Sequence, residues 1–119
     1  DLPVESRLLQ VAVALEALGA AIAERDHKKP PKTFEGLLSL VWQSVAFAPK
    51  QVVGEFSIDE WGKRFNQAYK GVKHADNSLP DPLDAFHRAQ EGLTLIRCWL
   101  GIELGVSSAT LNENLTEGR

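Results

Sequence analysis

The chain has 119 residues, 44% of them apolar and 24% charged, which fits one globular domain with a single core and leaves too little for two. A formal net charge of −3 excludes a polyanion binder that works through its whole surface, because non-specific nucleic-acid affinity accumulates from Lys and Arg contacts to phosphate. A single cysteine excludes an internal disulfide and a thiolate zinc site, and the three histidines, His27, His74 and His87, lack ligand spacing, so neither a metal nor a cofactor is expected.

From Val4 to about Arg25, the apolar residues Val4, Leu8, Val11, Leu15, Leu18 and Ile22 alternate in steps of four and three, the signature of an amphipathic helix. Glu16 sits close to that apolar face, where an ion pair explains it better than catalysis, with Arg97 as the expected partner. "DHKKPPKT", Asp26 to Thr33, breaks the helix, since Pro30 and Pro31 forbid continuation and the lysines read as solvated. Thr33 can cap a second helix carrying Phe34, Leu37, Leu38, Val41 and Val45, with Trp42 and Phe47 on its other sides. The stretch Pro49 to Phe56 reads as an ordered loop.

"SIDE", Ser57 to Glu60, has the form of a capping box and opens a third helix. Asp81, Pro82 and Asp84 open a fourth, which runs to about Leu104 with Gly105 as its stop. Phe86, Leu93, Ile96 and Leu100 form the expected main stripe of that helix, widened by Leu95, Trp99 and Ile102, while His87 with Asp84 and Arg88 reads as a solvated face. Cys98 reads as a buried, inert thiol, and a reducing cytoplasm is the natural compartment. The fold expected is all-α: four main helices in an antiparallel up-and-down bundle over residues 1–105, followed by a polar C-terminal tail over 106–119. No apolar run approaches the roughly 20 residues of a bilayer span, no signal-peptide pattern opens the sequence, and the absence of Met points to a piece of a larger chain.

The third helix carries the chemistry. On a wheel of about 100° per residue, Ile58, Trp61, Phe65, Ala68, Tyr69 and Val72 share one arc, the core face. Lys63, Asn66, Lys70, Lys73 and His74 share an arc on the other side. One reading is an ordinary solvated helix end, with His74 at the negative end of the dipole. The other is a phosphate-handling surface: imidazole suits proton transfer to and from RNA hydroxyls, and ammonium groups suit the charge on a phosphorane. One histidine per site is a shortage, which a two-fold dimer burying this face would repair. Arg64 lies about 80° around the wheel from His74, and Tyr69 at the edge of the core arc can turn its ring inward and offer its hydroxyl at the rim.

"ESRLLQVAVALEALG", "WGKRFNQAYKGVKHAD" and "LIRCWLGIELG", spread over about Glu5 to Gly105, resemble the HEPN domains, in particular the ApeA-like branch found at the C-terminus of bacterial defence proteins. The resemblance implies a helical bundle that dimerises and engages RNA, and a metal-independent endoribonuclease where the site is active. It assigns proton transfer to His74 and matches the family arginine loosely with Lys70, with Gly71 where a polar residue often follows; Lys73, Asn66, Lys63 and Asn77 would contact phosphate or RNA. Asp76 and Asn77 are equally explained by helix termination. A non-catalytic dimerisation or partner-binding module with a degenerate site stands as the alternative, and a third reading docks a partner on an exposed patch around Trp42 and Phe47.

Overall fold

The computed structural model describes residues 3–45, 57–74, 79–105 and 110. Among the described residues the fold has four helices, α1 (Val4–Arg25), α2 (Phe34–Gln43), α3 (Ile58–Lys73) and α4 (Pro82–Glu103), and no strand. The all-α bundle expected from the periodicity is the fold. The loop read at Pro49 to Phe56, Phe47, and the tail apart from Thr110 lie outside the described residues.

Local chemistry sets the ends. The Thr33 hydroxyl accepts the Gly36 N–H at 3.0 Å and the Ser57 hydroxyl accepts the Glu60 N–H at 3.1 Å, each satisfying an orphan amide of a first turn. Only half of the capping box forms, because the Glu60 carboxylate turns to Arg64 at 3.4 Å. Asp81 accepts the Leu83 N–H at 3.4 Å ahead of Pro82 in the first helical turn. α1 closes with His27 at φ 55°, and the Lys28 N–H reaches back to the Ala23 carbonyl at 2.8 Å, a Schellman closure with histidine in the left-handed position. His27 is thus accounted for by backbone geometry. Gly105, at φ 87°, ends α4 as read.

The core is an aromatic row with aliphatic flanks. Phe34 of α2 lies 5.6 Å from Phe65 and 4.8 Å from Tyr69, while Trp61 of α3 lies 6.0 Å from Trp42 and 5.5 Å from Phe65. Trp61 and Phe65 are fully buried with Leu8 and Leu15 of α1, Leu38 and Val41 of α2 and Leu95 of α4. Each such side chain contributes about 1.5–3 kcal/mol on burial. Gly19 and Gly92 allow close helix approach: a Cβ at Gly19 would lie 2.7 Å from the Leu37 carbonyl, and one at Gly92 would lie 2.6 Å from Val11 and 2.9 Å from Phe65.

Four readings of the helices are corrected. First, α1 and α4 run side by side in the same direction: Gly92 packs on Val11 and Leu15, and further along both helices Arg25 donates to Glu103 at 2.8 Å. Short connections force reversal only between neighbours in sequence, so strict up-and-down alternation does not extend to the first and last helices. Second, α4 buries Ala85, Ala89, Gly92, Leu95 and Cys98, and leaves Phe86 and Leu100 exposed. Small residues let α4 approach α1 closely, and that contact outweighs the larger side chains of the other arc. Third, Arg88 is not on a solvated face. It is 5% exposed, bonded to Asp84 at 3.0 Å and to both oxygens of Glu91 at 2.5 and 3.0 Å, and Glu91 also accepts the Trp61 indole N–H at 2.8 Å. Fourth, α1 is long and apolar enough to cross a membrane by length and composition, a test that the core helix of a bundle also passes; its Leu8, Leu15 and Ile22 are core residues here. Cys98 is buried, and burial raises its thiol pKa, which keeps it protonated and unreactive at neutral pH.

Removing one side of a buried ion cluster leaves the other uncompensated. Arg88→Ala should therefore lower stability by about 3 kcal/mol, roughly 15 °C in the thermal midpoint for a domain of this size. Gly62, inside α3, has nothing within 4 Å of a Cβ built on it. Gly62→Ala should then raise the midpoint by a few degrees, since alanine is favoured over glycine in a helix interior by about 0.8–1 kcal/mol. Circular-dichroism melts of the two variants read both effects.

Candidate functional site

The aromatic row fixes the phase of α3. With Trp61, Phe65 and Tyr69 held inward, Asn66, Lys70 and Lys73 emerge on the side that faces the start of α2. They line a hollow of about 310 Å³ together with Glu16 of α1, Lys32, Thr33 and Phe34 at the α2 entrance, Tyr69, and His74. α3 ends at Lys73; His74 is the C-cap, with extended backbone (φ −113°, ψ 120°) and its N–H donated to the Lys70 carbonyl at 3.1 Å. The imidazole therefore leaves the helix wheel and takes its direction from the cap. It is solvent-exposed at the edge of the hollow.

Among the described residues, three ammonium groups and one imidazole share this hollow with a single carboxylate. That carboxylate is engaged: the Tyr69 hydroxyl donates to Glu16 Oε1 at 2.9 Å. Glu16 is thus a partner of Tyr69 and not of Arg97, which lies on the exposed side of α4; the polar tip of Tyr69 must be satisfied where its ring is buried. Burial first, and then the hydrogen bond and charge of Glu16, push the Tyr69 phenol up to about 12, so it remains a donor at neutral pH. Lys73 Nζ lies 5.1 Å from the centre of the Tyr69 ring, within cation–π range. The entrance of α2 adds the positive end of its dipole beside Lys32. Such a surface can hold an anion with two or three charged oxygens.

Of the residues singled out in the sequence, His74, Lys70, Lys73 and Asn66 meet around one hollow. Lys63 does not join them. It lies two turns before Lys70, about 10 Å along the axis, and borders a separate groove of about 400 Å³ between α2 and α3 with Glu35, Trp42 and Asp59. Asn77 and Asp76 lie outside the described residues. Arg64 pairs with Glu60 and is not among the residues lining the hollow. Trp42 is half-buried against Trp61. Lys32 and Thr33 were missed as site residues. A lysine just ahead of a helix N-cap is the local signal, but only packing of α2 on α3 brings it to Lys70. Among the described residues, no three His, Cys, Asp or Glu side chains converge as a metal-ligand group.

The family model described as Apea-like HEPN matches residues 9–110, from within α1 through the end of α4. No match was found among curated proteins or among solved structures.

Tyr69 is the one tyrosine of the sequence, so the phenolate absorbance band reads it directly. The folded protein should titrate near 12 and the urea-unfolded chain near its ordinary 10. The sign follows: the neutral phenol is favoured in the fold, so its stabilisation is complete below pH 10 and is lost as pH rises through 12. Tyr69→Phe should remove that alkaline loss of stability.

Proposed function

The chain belongs to the Apea-like HEPN family, and from that membership we propose that it is the RNA-engaging domain of a larger bacterial defence or stress-response protein, acting in the cytoplasm as a homodimer. The activity proposed for it is metal-independent cleavage of an RNA phosphodiester. One observation carries this reading: Lys32, Lys70, Lys73, His74 and Asn66 gather around one hollow in a chain whose net charge is −3.

In this mechanism the phosphodiester sits among the ammonium groups of Lys70, Lys73 and Lys32, with the Asn66 amide donating to a phosphoryl oxygen. His74 removes the proton of the 2′-hydroxyl, the proton transfer to which an imidazole base is suited. The 2′-oxygen bonds to the adjacent phosphorus and the bond to the 5′-oxygen breaks. That oxygen takes a proton from water, which the open hollow admits, and the imidazolium returns its proton to solvent. The lysines offset the added charge of the phosphorane. Tyr69, held by Glu16, stiffens the floor beneath Lys73.

A non-catalytic RNA- or partner-binding module is the second reading, favoured by Lys70, a mobile point charge where the family resemblance implies a planar guanidinium.

Cleavage of a short single-stranded RNA in the presence of EDTA separates the two readings. His74→Ala should lose cleavage by about 100-fold or more, with RNA affinity and thermal midpoint nearly unchanged because the side chain is exposed. Equal cleavage by the variant excludes His74 as the proton-transfer group; binding without cleavage by the wild type selects the module. Lys70→Ala should weaken binding and flatten its dependence on log salt by about 0.7, the contribution of one phosphate contact to a single strand.

A further inference from the structure

The groove between α2 and α3 continues the lysine hollow. Phe34 and Asn66 line the hollow, while Glu35, next in sequence, and Gly62, one turn earlier on α3, line the groove, so the two spaces adjoin along the same helix seam. Its volume of about 400 Å³ falls within the range of about 300–1,000 Å³ of small-molecule sites. Glu35, Leu38 and Trp42 of α2 form one wall, and Asp59, Gly62 and Lys63 of α3 the other. Gly62 is buried, yet a Cβ built on it would meet nothing within 4 Å. Glycine inside a helix costs stability. Close packing explains it at Gly19 and Gly92, where a Cβ would collide with a neighbouring helix, but no neighbour explains it at Gly62. A side chain there would enter the groove, so what glycine preserves at this position is the open space itself.

The charged groups around that space select what can fill it. Asp59 and Lys63 stand one turn apart on the exposed surface of α3, a spacing of about 5–6 Å between Cβ atoms. Among the described residues neither of them, nor Glu35 on the opposite wall, is held in an ion pair. Two carboxylates repel a phosphate, so a nucleotide chain held in the hollow can extend only a base into the groove. We infer that the groove takes the base of the nucleotide whose phosphate occupies the hollow, and that this base is guanine; the inference rests on the RNA reading and narrows its substrate. An ionised carboxylate accepts hydrogen bonds and donates none, and an ammonium does the reverse. On its pairing edge guanine presents two adjacent donors, N1–H and the N2 amino group, followed by the O6 acceptor. Asp59 accepts from the two donors, Lys63 donates to O6, and Glu35 is a further acceptor for the amino group. Adenine and cytosine would set a ring-nitrogen acceptor against the carboxylate, and uracil would set two carbonyl oxygens there. Trp42, half-buried against Trp61, supplies an aromatic wall for the base. Lys63 thus reads a base where the lysines of the hollow hold phosphate.

Fluorescence anisotropy with two short oligomers tests this: an oligouridylate with methylated 2′-hydroxyls, and the same oligomer with one central guanosine. The guanosine should tighten binding by about 10-fold, the discrimination of one well-matched base edge, whereas adenosine or cytidine at that place should not. Gly62→Leu, which fills the groove, and Asp59→Asn, which replaces an acceptor with a donor, should each erase the gain while the protein still melts cooperatively. Should Gly62→Leu fail to fold, Asp59→Asn at an exposed position decides. Equal binding of the two oligomers, with Lys70→Ala still weakening both, overturns the guanine site and leaves the RNA reading standing. Failure of both oligomers to bind overturns the two together. A guanosine gain that survives Gly62→Leu and Asp59→Asn would put the base elsewhere and overturn the assignment of the groove.

Discussion

The ring of Phe34 rests 4.8 Å from Tyr69 and 5.6 Å from Phe65, and this wedge of α2 against α3 determines where every polar group of α3 points. A helix advances about 100° per residue, so a slip of one position would carry Lys70 toward the core and Tyr69 toward water. Three buried aromatic rings of α3 resist that slip, with each ring pair adding about 0.5–1.5 kcal/mol beyond simple burial. Phase is thus set by packing on one face and expressed as chemistry on the other. The same wedge carries Lys32 and the entrance of α2 to the edge of Lys70 and His74.

Charge then works locally against the average. An acidic chain repels polyanions at long range, but screening limits that repulsion to about 8–10 Å at physiological salt. Within the hollow the balance is reversed. Glu16 is the carboxylate that lines it among the described residues, and its hydrogen bond with Tyr69 holds it to one role. Elsewhere carboxylates are absorbed in pairs, such as Glu91 and Asp84 around Arg88 and Glu103 on Arg25. Several of the described acids are thus engaged within the bundle, and the lysines of the hollow gather beside a helix entrance.

How far the sequence was legible varied from helix to helix for physical reasons. α3 was readable because its large apolar residues fall on one arc and its cations on another, leaving a single way to bury it. Caps at Thr33, Ser57 and Asp81 and the stop at Gly105 were readable because they depend on neighbours within four residues. α4 was not, because two arcs are apolar and the smaller residues pack inside, where Gly92 lets α1 come close. Arg88 was misplaced because its burial depends on Trp61 and Glu91 meeting across two helices. Lys32 is not legible as a site residue for the same kind of reason, since Lys70, with which it lines the hollow, is far away in sequence. Lys63 shares the angle of Lys70 on the wheel but stands two turns away along the axis, in a separate groove. Periodicity fixes angle; tertiary packing fixes height and company.

The central claim is that the hollow between the α2 entrance and the end of α3 is where a nucleic-acid phosphate binds. Chemical-shift mapping with a short single-stranded RNA whose 2′-hydroxyls are methylated, so that it binds without being cleaved, tests this most directly. Perturbations should centre on Asn66, Lys70, Lys73, His74 and Lys32, with the imidazole signals of His27 and His87 unmoved. A response confined to the Lys28 and Lys29 turn, one spread evenly over all three histidines, or no response at all would contradict the account.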